Sequence, residues 1–67
     1  MELKCKLDEL IKERGLKKGF IAEQAGISKT TLSVLISGRS LPTLTVAFKI
    51  AKVLGLKIEE IWIPKGD

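Results

Sequence analysis

The residues of this chain that are best suited to chemistry carry hydrogen-bonding groups rather than catalytic ones. Lys29, Thr30, Ser33 and Ser37 fall at spacings that place them on the outward face of one helix, with Val34 among them. An ammonium group can donate to guanine O6 or N7, hydroxyls can donate or accept, and the methyls of Thr30 and Val34 can pack on a thymine methyl. The pattern therefore favours contact with the base edges of duplex DNA.

Two short helices joined by a tight turn would position this face. Ala22 allows close approach of the helices, Gly26 can adopt the positive φ angle of the turn, and Ser28 can cap the second helix. Its predicted inner face consists of Ile27, Thr31, Leu32 and Leu35. We predict a helix-turn-helix at about residues 18–37, with a recognition helix at about Ser28–Ser37. An αα-hairpin packed for stability alone is the alternative.

Residues Lys17 to Gly19 make a poor helix start. Two lysines oppose the positive end of the helix dipole, and glycine in the first turn disfavours the helix relative to alanine. Lys17 and Lys18 together with the free amides of the first turn would suit a phosphate of the DNA backbone. The alternative is a tolerated defect on a surface turn.

Charge is distributed unevenly along the 67 residues. Between Arg14 and Lys57 there are eight basic residues and one acid, Glu23, whereas the two ends together carry a net charge of −3. A basic middle with acidic ends indicates a polyanionic partner. A solvated, lysine-rich surface is the alternative.

The composition argues against several other functions. Histidine is absent and Cys5 is the single cysteine, so we expect no disulfide, no Cys/His metal cluster and no cofactor. Cys5 and the serines have no base to activate them, and the adjacent Glu59 and Glu60 diverge on a helix. We therefore expect no enzyme. An aromatic fraction of 4% is too low for stacking on single-stranded nucleic acid.

The remaining apolar pattern predicts further helices and no strand. Leu3, Leu7, Leu10 and Ile11 form one stripe of a first helix that ends near Gly15. Thr43 can cap a fourth helix that ends at Gly55, and a short fifth helix spans about Ile58 to Trp62. The expected fold is all-α, with five helices in a single domain over residues 1–67, a core at about 3–63 and a tail at 64–67. Charges interrupt every apolar run near the N-terminus, so we expect no signal peptide, no membrane span and a cytoplasmic location.

From Gly15-Leu16 to Trp62 the chain resembles the lambda-repressor and Cro-type helix-turn-helix family, also called the xenobiotic-response-element family. The matching motifs are Gly-Leu before helix two, Ile-Ala and Ala-Gly-Ile-Ser through the turn, Ser-Gly-Arg after the recognition helix, Pro-Thr-Leu at the start of helix four, and Ala-Lys-Val-Leu-Gly-Leu-Lys-Ile-Glu-Glu-Ile-Trp at the end. In this order and spacing they are specific to that fold.

The resemblance implies a transcriptional regulator that binds double-stranded DNA. By this similarity Lys29, Thr30, Ser33 and Val34 face bases, Lys18 meets the DNA backbone, and Ser37, Gly38 and Arg39 contact phosphate. Two positions depart from the family's pattern. Val34 and Ile36 are apolar where members usually carry polar residues, and the resemblance suggests that Ile36 faces Ile11. An apolar Val34 reduces hydrogen-bonding capacity, which would make base specificity modest or suit a protein partner.

Four large apolar residues near the C-terminus, Ile58, Ile61, Trp62 and Ile63, exceed what one helix face buries. Since family members usually pair two recognition helices about 34 Å apart on a pseudo-palindromic site, we expect some of these residues to form a homodimer interface. For Trp62 alone, a place in the core is expected instead. The alternative function is an antitoxin or adaptor module whose main partner is another protein, which would need an extra apolar surface patch.

Overall fold

Five helices and two short strands make up residues 2–66, the part of the chain that this computed structural model describes. They are β1 (Leu3–Cys5), α1 (Leu7–Arg14), α2 (Lys18–Ala25), α3 (Lys29–Ile36), α4 (Leu44–Leu54), α5 (Ile58–Ile61) and β2 (Trp62–Pro64). The predicted five-helix, mainly helical fold is confirmed. None of these helices is long and apolar enough to span a lipid bilayer.

The helix ends follow the capping chemistry of the sequence. The hydroxyls of Ser28 and Thr43 accept from the backbone amides of Thr31 and Val46, at 3.0 and 3.3 Å, at the starts of α3 and α4. Gly26 ends α2 with a φ angle of 70°, a left-handed conformation that glycine adopts without a steric cost. These predicted caps and stops are confirmed, so local chemistry determines where α3 begins.

The core is formed by inward-facing residues of all five helices and of β2. Its buried members are Leu7, Ile11, Ile21, Ala22, Ala25, Leu32, Leu35, Ala47, Ile50, Ala51, Leu54, Ile61 and Trp62. Helices α2 and α4 are in contact, and each contributes two buried alanines to this cluster. Small side chains let two helix backbones approach closely. The prediction for Ala22 concerned the contact of α2 with α3, and Ala22 is buried in the core to which both helices contribute. Within residues 2–66 no polar or charged residue is buried.

The ends of the described chain are joined by a two-stranded antiparallel sheet, which corrects the prediction of no strands. Leu3 pairs with Pro64 and Cys5 with Trp62, while the amide of Lys6 donates to the carbonyl of Ile61 at 2.8 Å. Leu3 and Leu7 are four residues apart, a separation that fits both the helical period and the period of two in a strand. The alternation of apolar and charged residues from Leu3 to Lys6 fits a strand, and α1 begins only at Leu7.

The C-terminal apolar residues also differ from the prediction. Ile61 is fully buried and Trp62 is 4% exposed, so neither can belong to an exposed dimer interface. Trp62 belongs to β2 rather than to the fifth helix, which ends at Ile61. Ile58 and Ile63 are half-buried. The β1–β2 pairing places Trp62 opposite Cys5, while Pro64 at the end of β2 stays exposed. The expectation of a core position for Trp62 is confirmed.

The half-buried thiol of Cys5 should react slowly. Burial raises the pKa of Cys5 above its ordinary value, and a hydrogen bond from the backbone amide of Leu7 counteracts this only in part. Because the thiolate is the nucleophile, we expect alkylation of the folded chain at neutral pH to be slower than that of the urea-unfolded chain, as measured by mass spectrometry.

The same raised pKa predicts a loss of stability in alkaline solution. The folded state holds the Cys5 proton more tightly than the unfolded state, so the free energy of unfolding should fall as pH rises from the ordinary thiol pKa through the folded one. A Cys5→Ser variant should lack this contribution. Equal alkylation rates in the folded and unfolded chains would contradict the assigned environment.

Candidate nucleic-acid interface

Helix α3 presents a polar face to solvent. Lys29, Thr30 and Ser33 are exposed, whereas Val34 is half-buried. Leu32 and Leu35, on the opposite side, are buried in the core and fix the rotation of the helix about its axis. The predicted base-reading residues therefore lie together on one helix, with Val34 at the margin of that face rather than at its centre.

The first turn of α3 is organised by Ser28. Its hydroxyl accepts from the amide of Thr31 at 3.0 Å, and the Ser28 and Thr31 hydroxyls are 2.9 Å apart, within hydrogen-bond distance. Thr31 is exposed, so its assignment to the inner face was wrong. Thr31 and Leu35 are four residues apart, which is the spacing of one helix face. The Thr31 hydroxyl, however, pairs with that of Ser28 at the start of the helix. Ile27, at the other end of the predicted inner face, is half-buried against the core.

A short loop after α3 holds the second group of predicted residues. Ser37 donates to the carbonyl of Val34 at 2.7 Å and accepts from the amide and Nε of Arg39 at 3.3 and 3.1 Å. Gly38 between them has a φ angle of 79°. Ser37 thus holds the backbone of the loop and the guanidinium group of Arg39, through its Nε, close to the C-terminal end of α3.

The third group lies at the start of α2. Lys17 is the N-terminal boundary residue in extended conformation, without a side-chain cap, and Lys18 is the first helical residue. Both lysines are exposed. The first amides of a helix have no acceptor within the helix, so this end carries a partial positive charge beside two ammonium groups. An anion is the natural partner for such an arrangement.

One contact near this end of α2 was not predicted from the sequence. The Lys29 side chain lies over Gly19: a Cβ atom at position 19 would be 3.0 Å from Lys29 Cε and 3.5 Å from Nζ. The contact brings the first residue of α3 next to the first turn of α2. The sequence indicated only that Gly19 lies within a helix, where no turn requires a glycine. That Lys29 is its neighbour could not be inferred without the fold.

The electrostatic surroundings favour an anion. From Gln24 to Ile58 the chain contains no acidic residue. Arg14, which adds to the basic middle of the sequence, has a structural contact as well, because its guanidinium donates to the carbonyl of Leu54 at the C-terminal end of α4. The single ion pair of the described residues, Lys12 with Asp8 at 3.1 Å, lies on α1. No carboxylate on α3 or in the following loop competes for its cations.

A separate apolar surface follows the loop. Leu41, Leu44 and Phe48 are 62, 69 and 60% exposed. Two shallow depressions adjoin these side chains, one beside Leu41 and Leu44 and one beside Phe48, and Ile58 lines both. We call Leu41, Leu44, Phe48 and Ile58 the α4 patch. We expected an exposed apolar surface from some of four C-terminal residues, Ile58, Ile61, Trp62 and Ile63, and of these Ile58 belongs to the α4 patch.

Sequence comparison finds relatives along most of the chain. The helix-turn-helix family model matches residues 7–61. An uncharacterised HTH-type transcriptional regulator from Methanocaldococcus jannaschii is 43% identical over 47 residues, covering 70% of this chain and 71% of that protein. Another from Methanothermobacter thermautotrophicus is 42% identical over 57 residues, covering 84% of this chain and 83% of that one.

A solved structure shares the fold. The crystal structure of a transcriptional regulator from Listeria innocua superimposes with a TM-score of 0.85 at 26% sequence identity. The match covers all of this chain and 64% of the Listeria chain, so that protein has a further portion to which nothing here corresponds. The architecture around α2 and α3 is therefore that of a protein named as a regulator of transcription.

The cap at the start of α3 should be measurable as stability. Replacing Ser28 by alanine removes the acceptor for the Thr31 amide, and we expect the free energy of unfolding to fall by about 1 kcal/mol. Urea denaturation followed by the fluorescence of Trp62, the only tryptophan and a buried one, would measure it. Ser40→Ala, in the exposed loop, is the matched control, with an expected change within about 0.5 kcal/mol. Equal losses in the two variants would contradict the capping role.

Proposed function

The chain belongs to the Cro/C1-type helix-turn-helix family of DNA-binding transcriptional regulators, and from this we propose that it binds a specific duplex operator as a homodimer with α3 in the major groove. The observation that carries the proposal is the exposed face of α3, which combines an ammonium group with two hydroxyls in a segment without acids. An α-helix fits the major groove, where each base pair shows a distinct pattern of donors and acceptors.

The proposed contacts fall into two groups. Lys29, Thr30, Ser33 and Val34 read base edges, with Lys29 as the strongest donor and Val34, half-buried, limited to apolar contact with a thymine methyl. Phosphate contacts come from two positions flanking α3 in the sequence. They are made by Lys17 and Lys18 at the start of α2, and by Ser37, Gly38 and Arg39 in the loop after α3. Phosphate contacts at both positions would set the orientation of α3 in the groove.

We propose the α4 patch as the homodimer interface. Leu41, Leu44 and Phe48 expose most of their side chains, and Ile58 continues the apolar surface between the two depressions. Such a surface is costly in water, and a two-fold axis would bury it against an identical copy. Ile58 and the half-buried Ile63 are the members of the predicted C-terminal set that retain exposed surface. A protein partner on the same patch is the alternative.

The remaining parts of the proposal concern where and how the protein acts. We propose that it works in the cytoplasm, where duplex DNA is accessible, as a single domain that needs neither cofactor nor metal. We propose no catalytic activity, because the chemistry on α3 and its surroundings consists of recognition by hydrogen bonds and charge.

The proposed function is tested by selection from a pool of random duplexes at two salt concentrations, with the enriched sequences read out. A palindrome with half-sites about one helical turn apart, bound with steep salt dependence, is the expected result. Salt-sensitive binding without enrichment, or no binding, would reject the operator-binding proposal and direct attention to a protein partner on the α4 patch.

Two lysine variants should distinguish a base contact from a phosphate contact. Lys29→Ala should weaken binding to the selected site by about 1–3 kcal/mol and leave random duplexes nearly unaffected, if Lys29 donates to a base. Lys18→Ala should weaken all sequences alike and flatten the salt dependence, because it removes a phosphate contact. Fluorescence anisotropy titrations at several salt concentrations would measure both. Equal loss on selected and random DNA for Lys29→Ala would reject its base-reading role.

The dimer proposal predicts a change in mass. Phe48→Ser should shift the chain from dimer to monomer in sedimentation equilibrium, because it removes the largest apolar side chain of the α4 patch. Phe20→Ser is the matched control: Phe20 is 50% exposed on α2 and lines neither depression. A dimer that survives Phe48→Ser would place the interface elsewhere, and a wild-type chain that is monomeric with and without DNA would favour the protein-partner alternative.

A further inference from the structure

Gly19 has no conformational reason to be glycine. It lies in the first turn of α2, and its φ angle is not among the positive ones found at Gly15, Gly26, Gly38 and Gly55. Glycine within a helix is unfavourable relative to alanine, so the residue lowers the stability of an already poorly capped helix. The reason for a glycine at this position must therefore lie in the neighbouring residue that takes up the space of a side chain.

That place is occupied by Lys29. A Cβ atom at position 19 would stand 3.0 Å from Lys29 Cε, closer than carbon atoms ordinarily pack, and 3.5 Å from Nζ. Lys29 is the first residue of α3, so its side chain crosses from the recognition helix to α2 in the absence of DNA. Gly19 is half-buried, and Lys29 lies within contact distance of its open side.

We infer that Gly19 is a positioning residue for Lys29: its bare backbone holds the lysine chain against α2 and sets where the ammonium stands relative to the major groove. The inference rests on the proposed function, in which Lys29 reads a base. A methyl group at position 19 displaces Cε and sends the flexible side chain into other rotamers. In the proposed arrangement, contact with Gly19 favours the rotamers that bring Lys29 to the base, so the lysine loses less conformational entropy on binding than it would beside an alanine.

The variant Gly19→Ala should therefore change folding stability and operator affinity in opposite directions. Gly19→Ala should stabilise the folded chain, because alanine favours the helix and the displaced atom is the mobile end of a side chain. The same variant should bind the selected operator more weakly. A residue that mattered only for folding would change stability and affinity in the same direction.

The test is a double-mutant cycle on the operator that the wild-type chain selects. Wild type, Gly19→Ala, Lys29→Ala and the double variant are titrated against the operator and against random duplex, with Gln24→Ala, an exposed substitution on the same helix, as control. We expect Gly19→Ala to lose roughly three- to tenfold on the operator and less than about twofold on random duplex, and to cause no further loss in the Lys29→Ala background.

A readout without DNA accompanies the cycle. In the free wild-type protein, NMR should show a nuclear Overhauser contact between the Gly19 Hα protons and the Lys29 Hε protons, which Gly19→Ala removes. Operator affinity unchanged in Gly19→Ala, or reduced equally with and without Lys29, would overturn the positioning role, since the second result means that the methyl group obstructs DNA directly. Absence of any selected sequence for wild type would instead reject the proposed function, and the role of Gly19 with it.

Discussion

The packing of α2 against α4 is the contact on which the rest of the structure depends. Ala22 and Ala25 on one helix and Ala47 and Ala51 on the other are all buried, so the two backbones can come close, and α3 contacts α2 and α1. An eight-residue helix such as α3 is not stable by itself in water. Its position comes from Leu32 and Leu35, whose burial in that core leaves only the polar face to solvent. We therefore expect a larger residue at Ala22 to disturb the packing that holds α3.

The β1–β2 pair is a second contact that supports the core. The thirteen buried core residues found within 2–66 make a small core, and the chain has one cysteine and therefore no internal disulfide to support it. Pairing Cys5 with Trp62 fixes the largest side chain of the protein over the core. The indole Nε1 has no hydrogen-bond partner among the described residues, so its burial carries a cost that the apolar contacts of the ring must exceed.

Where sequence reasoning succeeded, the cause was local. Ser28, Thr43 and Gly26 define helix ends through bonds and backbone angles within a few residues, so their effect can be read from the sequence. The strands were missed because a spacing of four residues satisfies both periods, and because a three-residue strand exists only through its distant partner. The same limit applies to the surface. The core position of Trp62 was expected, whereas Ile61 could not be distinguished from an exposed apolar residue by its spacing alone.

The candidate interface shows the same division between local and distant determinants. The polar face of α3 and the basic residues around it were visible as types and spacings, whereas the crossing of Lys29 over Gly19 depends on how two helices meet. Helix α2 starts at Lys18 behind an uncapped Lys17, with a glycine in its first turn, so its stability must come from Ile21, Ala22 and Ala25 in the core. Because core packing holds α2 in place, its first turn does not need a side-chain N-cap or strong helix-forming residues. That turn can therefore hold Lys17 and Lys18, which we propose to contact phosphate, and Gly19, over which Lys29 lies.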